Sequence, residues 1–253
     1  MNAPLLTTED LTISFGGVHA VSGVSLQVEE KSLHAVIGPN GAGKTTFFHL
    51  LSGVYKPTRG VIRFRGEDIT GLSAAQRVKL GIARSYQRTN IFPRLTVREN
   101  LNLAAARAAG EGWSMTPGAT SPAVRAIVDD ALALLSLKHT ADQEAQTLPY
   151  GVQRLVDIGI ALCCKPSLLL LDEPTSGLSS AELNEAVDIL KTLRAHFTIL
   201  LIEHNMELVI DLADRISVLD FGALLAEGGA EEIAANPEVQ KAYFGSREKA
   251  NPR

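Results

Sequence analysis

A glycine-rich stretch that ends in a lysine and two threonines is the strongest chemical signal in the chain. It reads GPNGAGKTT over residues 38–46, after a short apolar run and before a stretch with helical spacing. The spacing GxxxxGK[ST] lets successive main-chain N–H groups point at phosphate oxygens, and the following helix N-terminus adds positive potential. It predicts an ATP phosphate loop, in which Lys44 reaches the β- and γ-phosphates and Thr45 ligates Mg²⁺. The predicted nucleotide-binding residues of this loop are Gly38, Pro39, Asn40, Gly41, Ala42, Gly43, Lys44, Thr45 and Thr46.

A pair of acidic residues directly follows a run of leucines. Leu168–Leu171 is typical of a strand buried on both faces of a parallel sheet, and Asp172 and Glu173 come next. Ligands of open α/β sheets bind at the carboxyl ends of such strands. We therefore expect Asp172 to hold Mg²⁺, usually through water, and Glu173 to polarise the attacking water as a general base.

The elements that must position these residues alternate between strands and helices, which indicates an α/β fold with a mainly parallel sheet. Helices are expected at Thr45–Ser52 and Glu182–Arg194, and residues 72–165 read as mostly helical, with an extended piece at Arg84–Gln87 and a loop at Ala108–Pro122. The predicted strands are Leu11–Phe15, Val24–Val28, Leu33–Ile37, Val61–Phe64, Leu168–Leu171, Thr198–Ile202, Ile216–Leu219 and Ala223–Glu227.

The composition is that of an ordinary globular protein, with 253 residues, 45% apolar and 21% charged. This length fits one large α/β domain or two small ones. The formal charge of −4 provides no broad attraction for nucleic acid, so no such partner is expected. Cys163 and Cys164 are interpreted as small buried apolar residues. With no secretory signal pattern and only short apolar runs, we expect a cytoplasmic chain that other proteins hold at any membrane.

The phosphate loop and the acid pair together resemble those of the ATP-binding subunits of ABC transporters, and the resemblance covers nearly the whole chain. It implies a P-loop NTPase (ABC ATPase) core with a mainly parallel sheet, a small antiparallel β subdomain and a helical subdomain at about 88–165, within a single nucleotide-binding domain at 1–253. It also implies ATP hydrolysis coupled to transport, with ATP and Mg²⁺ as cofactors.

Three further residues take roles from this resemblance. His204, in IEHNM, is similar to the family's switch histidine, which contacts the γ-phosphate and supports the attacking water. Gln87, in SYQR, resembles the glutamine that approaches Mg²⁺ and that water. Phe15, in FGG, resembles the aromatic residue that stacks on adenine, although a core phenylalanine near an edge strand is the alternative.

The stretch TLPYGVQ at 147–153 lies where the family has its signature, LSGGQ or LSYGQ, which caps the ATP held by a second subunit. The corresponding residues are Leu148, Pro149, Tyr150, Gly151 and Val152. Proline provides neither the hydroxyl nor the N–H of the usual serine, whereas the helix dipole remains. We expect a weakened signature and therefore a heterodimer with one impaired site. Ser179 stands where the D-loop of the family usually ends in aspartate, a residue that the resemblance relates to communication between the two sites.

Several stretches, including LTVREN at 95–100 and the tail from Asn236 to Gly245, resemble one subgroup, the branched-chain amino acid importers. This resemblance implies two integral-membrane permeases, a second ABC ATPase, a periplasmic or extracellular solute-binding protein as an indirect partner, and a location at the cytoplasmic face of the inner or plasma membrane. Ile91 and Phe92 either form the permease-docking surface or are buried in the helical subdomain. An ATPase of an exporter, such as that for lipopolysaccharide, is the alternative, and a soluble DNA- or ribosome-acting ATPase and a P-loop kinase are disfavoured.

Overall fold

A computed structural model describes residues 3–85, 90–111 and 120–248. The chain divides into two compact units, one of Met1–Arg77 with Thr198–Arg253 and the other of Val78–Phe197. The described strands are β1 (Leu6–Phe15), β2 (Val18–Val28), β3 (Leu33–Ile37), β4 (Arg59–Phe64), β5 (Glu67–Asp68), β6 (Ile82–Arg84), β7 (Leu168–Asp172), β8 (Thr198–Ile202), β9 (Arg215–Asp220) and β10 (Ala223–Gly228). The described α-helices are α1 (Lys44–Leu51), α2 (Ala74–Leu80), α3 (Val97–Ala108), α4 (Pro122–Leu134), α5 (Tyr150–Leu162), α6 (Ser180–His196), α7 (Met206–Leu212), α8 (Ala230–Ala235) and α9 (Pro237–Glu248).

The first unit contains an antiparallel sheet with the strand order β2-β1-β4-β5. Leu6 pairs with Val28 on one side and with Phe64 on the other, and all three side chains are buried. Buried and exposed residues alternate along β1 and β2, as expected for strands with one face on the core. Both strands begin earlier than predicted from the apolar runs at Leu11–Phe15 and Val24–Val28. The reason is that their first halves contain polar residues on the exposed face, which interrupt the apolar pattern.

The second sheet of this unit is mainly parallel. β3 pairs in parallel with β8 and with β9, while β10 lies antiparallel to β9 at the edge. Every residue of β3 and β8 is buried, which is the burial expected for strands covered on both faces. A cluster of buried residues from this sheet and its helices forms a core: Ala35, Ile37, Val209, Ile216, Val218, Ile233 and Val239.

Helix α1 begins directly after the glycine-rich loop, ends at Leu51 and is followed by a turn at Gly53. Gly53 has a φ of +76°, and the N–H of Val54 donates to the carbonyl of His49 at 2.9 Å. This left-handed termination satisfies carbonyls that the last helical turn leaves unpaired. A buried arginine, Arg77, completes the end of the helix by donating to the carbonyls of Leu50 and Leu51 at 2.6 and 2.8 Å.

The second unit combines a helical group with two parallel strands. Helix α3 packs on α4 and α5, and Gly159 of α5 provides the close approach, because an added Cβ would lie 2.8 Å from a methyl group of Leu101. Strand β6 pairs with the fully buried β7, so the leucine run is a core strand as predicted. The expected extended piece at Arg84–Gln87 overlaps this strand at Arg84, although the strand begins earlier, at Ile82, and the last two residues of the predicted piece lie outside the described residues.

Candidate nucleotide-binding site

The glycine-rich loop lies in the first unit between β3 and α1, in the strand–loop–helix context that its sequence predicted. Gly38, Gly41 and Gly43 have φ values of +152°, +82° and +95°, which side-chain-bearing residues rarely adopt. Space is also restricted, because a Cβ at Gly43 would lie 2.2 Å from the carbonyl oxygen of Ala20. A Cβ at Gly38 would likewise lie 2.1 Å from the carbonyl oxygen of Leu219. Both the backbone conformation and the packing therefore require glycine at Gly38 and at Gly43.

Lys44 is the first residue of α1 and its side chain is buried within the loop. Its ammonium group donates to the carbonyls of Gly38 at 2.7 Å and Pro39 at 3.0 Å. No side chain caps the N-terminus of α1, and no acidic residue lies in its first turn, so the positive end of the helix dipole is not neutralised locally. Thr45 is exposed and Thr46 half-buried at this helix start. This arrangement is suited to binding phosphate groups.

Phe15 is the last residue of β1, and its ring is 47% exposed. The ring meets Tyr55 edge to face, with centroids 5.3 Å apart, and Tyr55 in turn meets His49 at 4.9 Å. Phe15 is therefore not the core phenylalanine of the alternative interpretation. It is a partly exposed ring, fixed on one side by a second aromatic side chain, with surface left for stacking.

His204 lies two residues beyond β8 and directly before the N-cap of α7. Its side chain is exposed, and its main-chain N–H donates to Glu203 Oε2 at 3.1 Å. Asn205 caps α7 by accepting from the N–H of Leu208, which fixes the turn that carries the histidine. The histidine is thus presented at the carboxyl end of a buried strand, where the sequence placed it.

Asp172 ends β7 in the second unit and forms a buried ion pair with Arg84 at the end of β6. The Arg84 Nη2 donates to Asp172 Oδ2 at 2.6 Å. The other oxygen, Asp172 Oδ1, is buried and has no hydrogen-bond partner among the described residues. A buried carboxylate oxygen without a partner is rare in folded proteins and is suited to a metal ion or a metal-bound water. The acid therefore fits the Mg²⁺ role that the sequence predicted.

Glu173 follows with a left-handed backbone, φ +50°, which is unusual for a residue other than glycine. Its side chain is largely buried. The guanidinium of Arg154, on α5, donates from Nη2 to the carbonyl oxygen of Glu173 at 2.6 Å. The same guanidinium lies over the ring of Tyr150 at 5.9 Å from its centroid. One buried arginine thus connects helix α5 to the backbone of the predicted general base.

The signature stretch forms the start of α5, as predicted, with Pro149 as its N-cap and no side-chain cap. The N–H of Gly151 donates to Glu182 Oε1 at 3.3 Å. Glu182 belongs to α6, where its other oxygen accepts from the N–H and the hydroxyl of Ser179 at 2.9 and 2.6 Å. These bonds from Ser179 are the main cause that lowers the pKa of Glu182. Ser179 is therefore the N-cap of α6, which gives it a structural role.

The predictions for Gln87 and for the nearby Ile91 and Phe92 differ in whether the structure describes the residues. Gln87 lies outside the described residues. Ile91 is half-buried and Phe92 is 57% exposed, so the interpretation that both are buried is wrong. The N–H of Phe92 donates to Asn100 Oδ1 at 2.7 Å, which holds this exposed ring on an ordered turn before α3.

Sequence reasoning missed Arg84, which donates to the predicted Mg²⁺ ligand Asp172, and Arg154, which donates to the main-chain carbonyl of the predicted general base Glu173. A single arginine carries no signal of its own in a sequence. The only indication was positional, since Arg84 begins the predicted extended piece and Arg154 follows the signature by two residues.

Comparisons with known proteins show which family the chain resembles. The sequence profile of the ABC transporter family matches residues 21–176, and a profile described as branched-chain amino acid ATP-binding cassette transporter matches 223–249. The high-affinity branched-chain amino acid transport ATP-binding proteins BraF of Pseudomonas aeruginosa and LivG of Escherichia coli K12 are 40% and 39% identical to the chain, each over 97% of it and 99% of their own length. The lipopolysaccharide export system ATP-binding protein LptB of Haemophilus influenzae is 32% identical, over 96% of this chain and 98% of its own.

Among solved structures, the ADP conformation of MJ1267, an ATP-binding cassette of an ABC transporter, matches with a TM-score of 0.86 and 28% identity, over 96% of this chain and all of that one. The fold and the phosphate loop thus define a P-loop ATPase of the ATP-binding cassette class, whose domains bind nucleotide. The chain belongs to the family of ABC transporter ATP-binding subunits, and it is an ATPase. None of the described helices has both the length and the apolar character needed to cross a membrane.

Proposed function

We propose that this chain binds and hydrolyses ATP to power an ABC importer for branched-chain or other hydrophobic amino acids, or related small solutes. The observation that carries the solute class is the branched-chain profile at residues 223–249, because it lies outside the region that the general ABC transporter profile matches. The names of the relatives at 39–40% identity support the same class. The ATPase itself does not contact the solute.

The proposed mechanism assigns each site residue a task. Gly38–Thr46 and the start of α1 hold the phosphates, Lys44 neutralises charge on the β- and γ-phosphates, and Phe15 stacks on the adenine. Asp172, with Thr45 and Gln87, would hold Mg²⁺, which when bound neutralises phosphate charge that develops during the reaction.

Residues of the chain itself carry out the hydrolytic step. Glu173 accepts a proton from the attacking water, and His204 orients that water toward the γ-phosphate. Most of the catalysis is positioning and electrostatic stabilisation rather than covalent chemistry. The signature residues Leu148–Val152 act on the ATP of the second subunit.

We propose that the chain works as a single nucleotide-binding domain, with its helical subdomain at about 88–165.

The proposed assembly contains two permeases and a second, different ATPase, with a solute-binding protein as an indirect partner, at the cytoplasmic face of the membrane. The exposed Phe92 supports permease docking, because a large apolar side chain on an ordered turn is suited to a protein partner. Pro149 supports the heterodimer, because a homodimer would carry the weakened signature at both sites.

A second candidate is the ATPase of a lipopolysaccharide exporter, favoured by the 32% identity to LptB. It is the weaker candidate, because the identity to the branched-chain proteins is higher and the tail matches a profile described as that of branched-chain amino acid transporters.

The test is an affinity purification of the tagged full chain from detergent-solubilised membranes of its source, followed by mass spectrometry and an uptake assay. Two distinct permeases and a second ATPase with a serine signature would support the proposal. Cells that carry Lys44→Ala should lose uptake of radiolabelled leucine while uptake of an unrelated sugar is unchanged. A homodimer with one kind of membrane partner, and unimpaired leucine uptake, would contradict it.

A further inference from the structure

The ion pair between Arg84 and Asp172 is buried too deeply to be an ordinary surface contact. The exposed fractions of the two side chains are 4% and 1%, and the bond from Nη2 to Oδ2 is 2.6 Å long. Exposed ion pairs are screened by water and exchange partners easily, whereas a buried pair is held in one geometry and breaking it leaves an uncompensated charge. The orientation of the Asp172 carboxylate is therefore set by Arg84.

The pair follows from the strand arrangement. Strands β6 and β7 run parallel, with Arg84 beside Leu170, and the ladder continues with the N–H of Ser85 donating to Leu170 at 3.0 Å. The carboxyl ends of neighbouring parallel strands meet at one edge of the sheet. The guanidinium consequently has to reach only across one strand spacing to meet the last residue of β7.

The two oxygens of Asp172 have different surroundings. Oδ2 accepts from Arg84, while Oδ1 is buried and accepts no hydrogen bond from any residue in the described part of the chain. A flexible carboxylate would rotate to share its bonds between both oxygens. Fixing Oδ2 therefore determines which oxygen is left for a ligand.

We propose that Arg84 is a positioning residue, which holds Asp172 through Oδ2 so that Oδ1 is presented to the Mg²⁺ that accompanies ATP. The proposal rests on the proposed function, because it assumes that Asp172 serves Mg²⁺. In this proposal Arg84 acts through Asp172 and not directly on the nucleotide. Its planar guanidinium is suited to this task, because it holds a carboxylate in a defined plane.

The test measures binding rather than turnover. The full chain binds a fluorescent, non-hydrolysable ATP analogue, mant-AMP-PNP, first in EDTA and then during a Mg²⁺ titration. In Arg84→Gln the Mg²⁺ concentration for half-maximal enhancement should rise about tenfold, the effect of losing one charged hydrogen bond. Affinity for the analogue in EDTA should stay within about twofold of wild type, because the phosphate loop is unchanged.

Two further variants make the result specific. Arg84→Lys keeps the charge without the planar fork and should raise the midpoint by only about threefold. Arg98→Gln is the matched control, because Arg98 lies in the same unit but its ion pairs with Asp129 and Asp142 are exposed. Its Mg²⁺ midpoint should equal that of the wild type.

The outcomes separate this proposal from the proposed function. A wild-type chain whose affinity for the analogue does not respond to Mg²⁺ would contradict the nucleotide-site proposal itself. A wild-type chain that responds, with Arg84→Gln and Arg84→Lys within twofold of its midpoint, would overturn the role of Arg84. So would a variant with lower thermal stability and lower affinity in EDTA but the same midpoint, since that is a purely structural effect. If Arg84→Gln does not fold, the midpoint of Arg84→Lys decides.

Discussion

Arg154 donates a 2.6 Å hydrogen bond to the carbonyl oxygen of Glu173, whose backbone is left-handed at φ +50°. A left-handed conformation costs a residue other than glycine about 1–2 kcal/mol, so the surrounding structure must hold it. The arginine comes from α5, the helix that begins with the signature stretch. The general base that we propose is thus bonded to the helix whose first residues we propose to act on the ATP of the second subunit.

Replacing Arg154 by lysine should lower the kcat for ATP hydrolysis about tenfold, while the KM for ATP stays within about twofold. The reason is that Glu173 loses its backbone restraint, whereas the phosphate loop is unaffected. Steady-state kinetics of the assembled transporter measures both constants. Arg125→Lys is the control, because Arg125 also donates to a main-chain carbonyl, that of Thr120, but is exposed. Equal kinetics for the two variants would contradict this role.

Pro149→Ser should speed hydrolysis of the ATP held by the second subunit by about tenfold, because serine restores a hydroxyl and an N–H at the start of α5. To isolate that site, the assembly carries Glu173→Gln in this chain, which stops turnover of its own nucleotide. Pro149→Ala restores only the N–H and should give a smaller gain. The measurement is single-turnover hydrolysis, and no increase in either variant would mean that the proline does not weaken the signature.

The stability of the first unit should fall in mild acid because of His34. This residue is 1% exposed and lies 2.8 Å from the hydroxyl of Ser217, which donates to Glu227. Burial lowers the pKa of His34 from 6.5 to about 4, and the nearby Glu227 only partly opposes this. The unfolded chain therefore binds more protons between these two values, and stability decreases as the pH falls from about 6.5 to about 4.

The expected loss over that range is about 3 kcal/mol, since one pKa unit corresponds to about 1.4 kcal/mol. Urea unfolding of the full chain at a series of pH values measures it. The variant His34→Gln should show a shallower pH dependence over the same window. A wild-type curve that is flat between pH 6.5 and 4 would contradict the assignment.

Arg77 should be one of the most sensitive positions for stability. It is 1% exposed and donates to four carbonyls, those of Leu50, Leu51, Thr70 and Leu72. Burial lowers its pKa to about 10, so it stays charged at neutral pH and interacts favourably with the carboxyl end of α1. Arg77→Ala would leave these carbonyls unpaired and open a cavity.

The free energy of unfolding should fall by about 3–5 kcal/mol in Arg77→Ala, and by about 2 kcal/mol in Arg77→Lys, whose ammonium cannot span all four carbonyls. Denaturant unfolding measures both. Arg63→Ala is the control, because Arg63 forms an exposed pair with Glu9 and its removal should leave the free energy of unfolding almost unchanged. A cost for Arg77→Ala as small as that of the control would show that the carbonyls find other partners.

The two adjacent cysteines should react slowly with thiol reagents in the folded chain. Both are free thiols, and burial raises the pKa of Cys163 to about 12 and that of Cys164 above its usual value. Because only the thiolate reacts, modification by Ellman's reagent at pH 8 should be at least about a hundredfold slower for Cys163 than in urea. The variant Cys164→Ser lets Cys163 be followed alone, and equal rates with and without urea would contradict its burial.

Much of the fold was predictable because it depends on local patterns. The boundaries of β3 and β8 coincide with their apolar runs, since fully buried strands read as continuous hydrophobic stretches. Strands β1 and β2 were predicted too short, because half-exposed strands contain polar residues that interrupt the apolar pattern. Strand β6 begins two residues before the predicted extended piece, since the position of so short a strand is set by its pairing with β7 and not by a pattern in its own sequence.

The sequence by itself determined the phosphate loop, the acid pair and the family, because each of these is encoded within a few adjacent residues whose spacing the chemistry requires. Only the tertiary structure showed that Arg84 fixes Asp172, which is 88 residues away, and that Arg154 holds Glu173. The physical reason is that neighbouring strands and helices set these distances, so a buried arginine meets its acceptor only after the chain has folded. The same holds for Arg77, whose acceptors on α1 lie 26 and 27 residues before it.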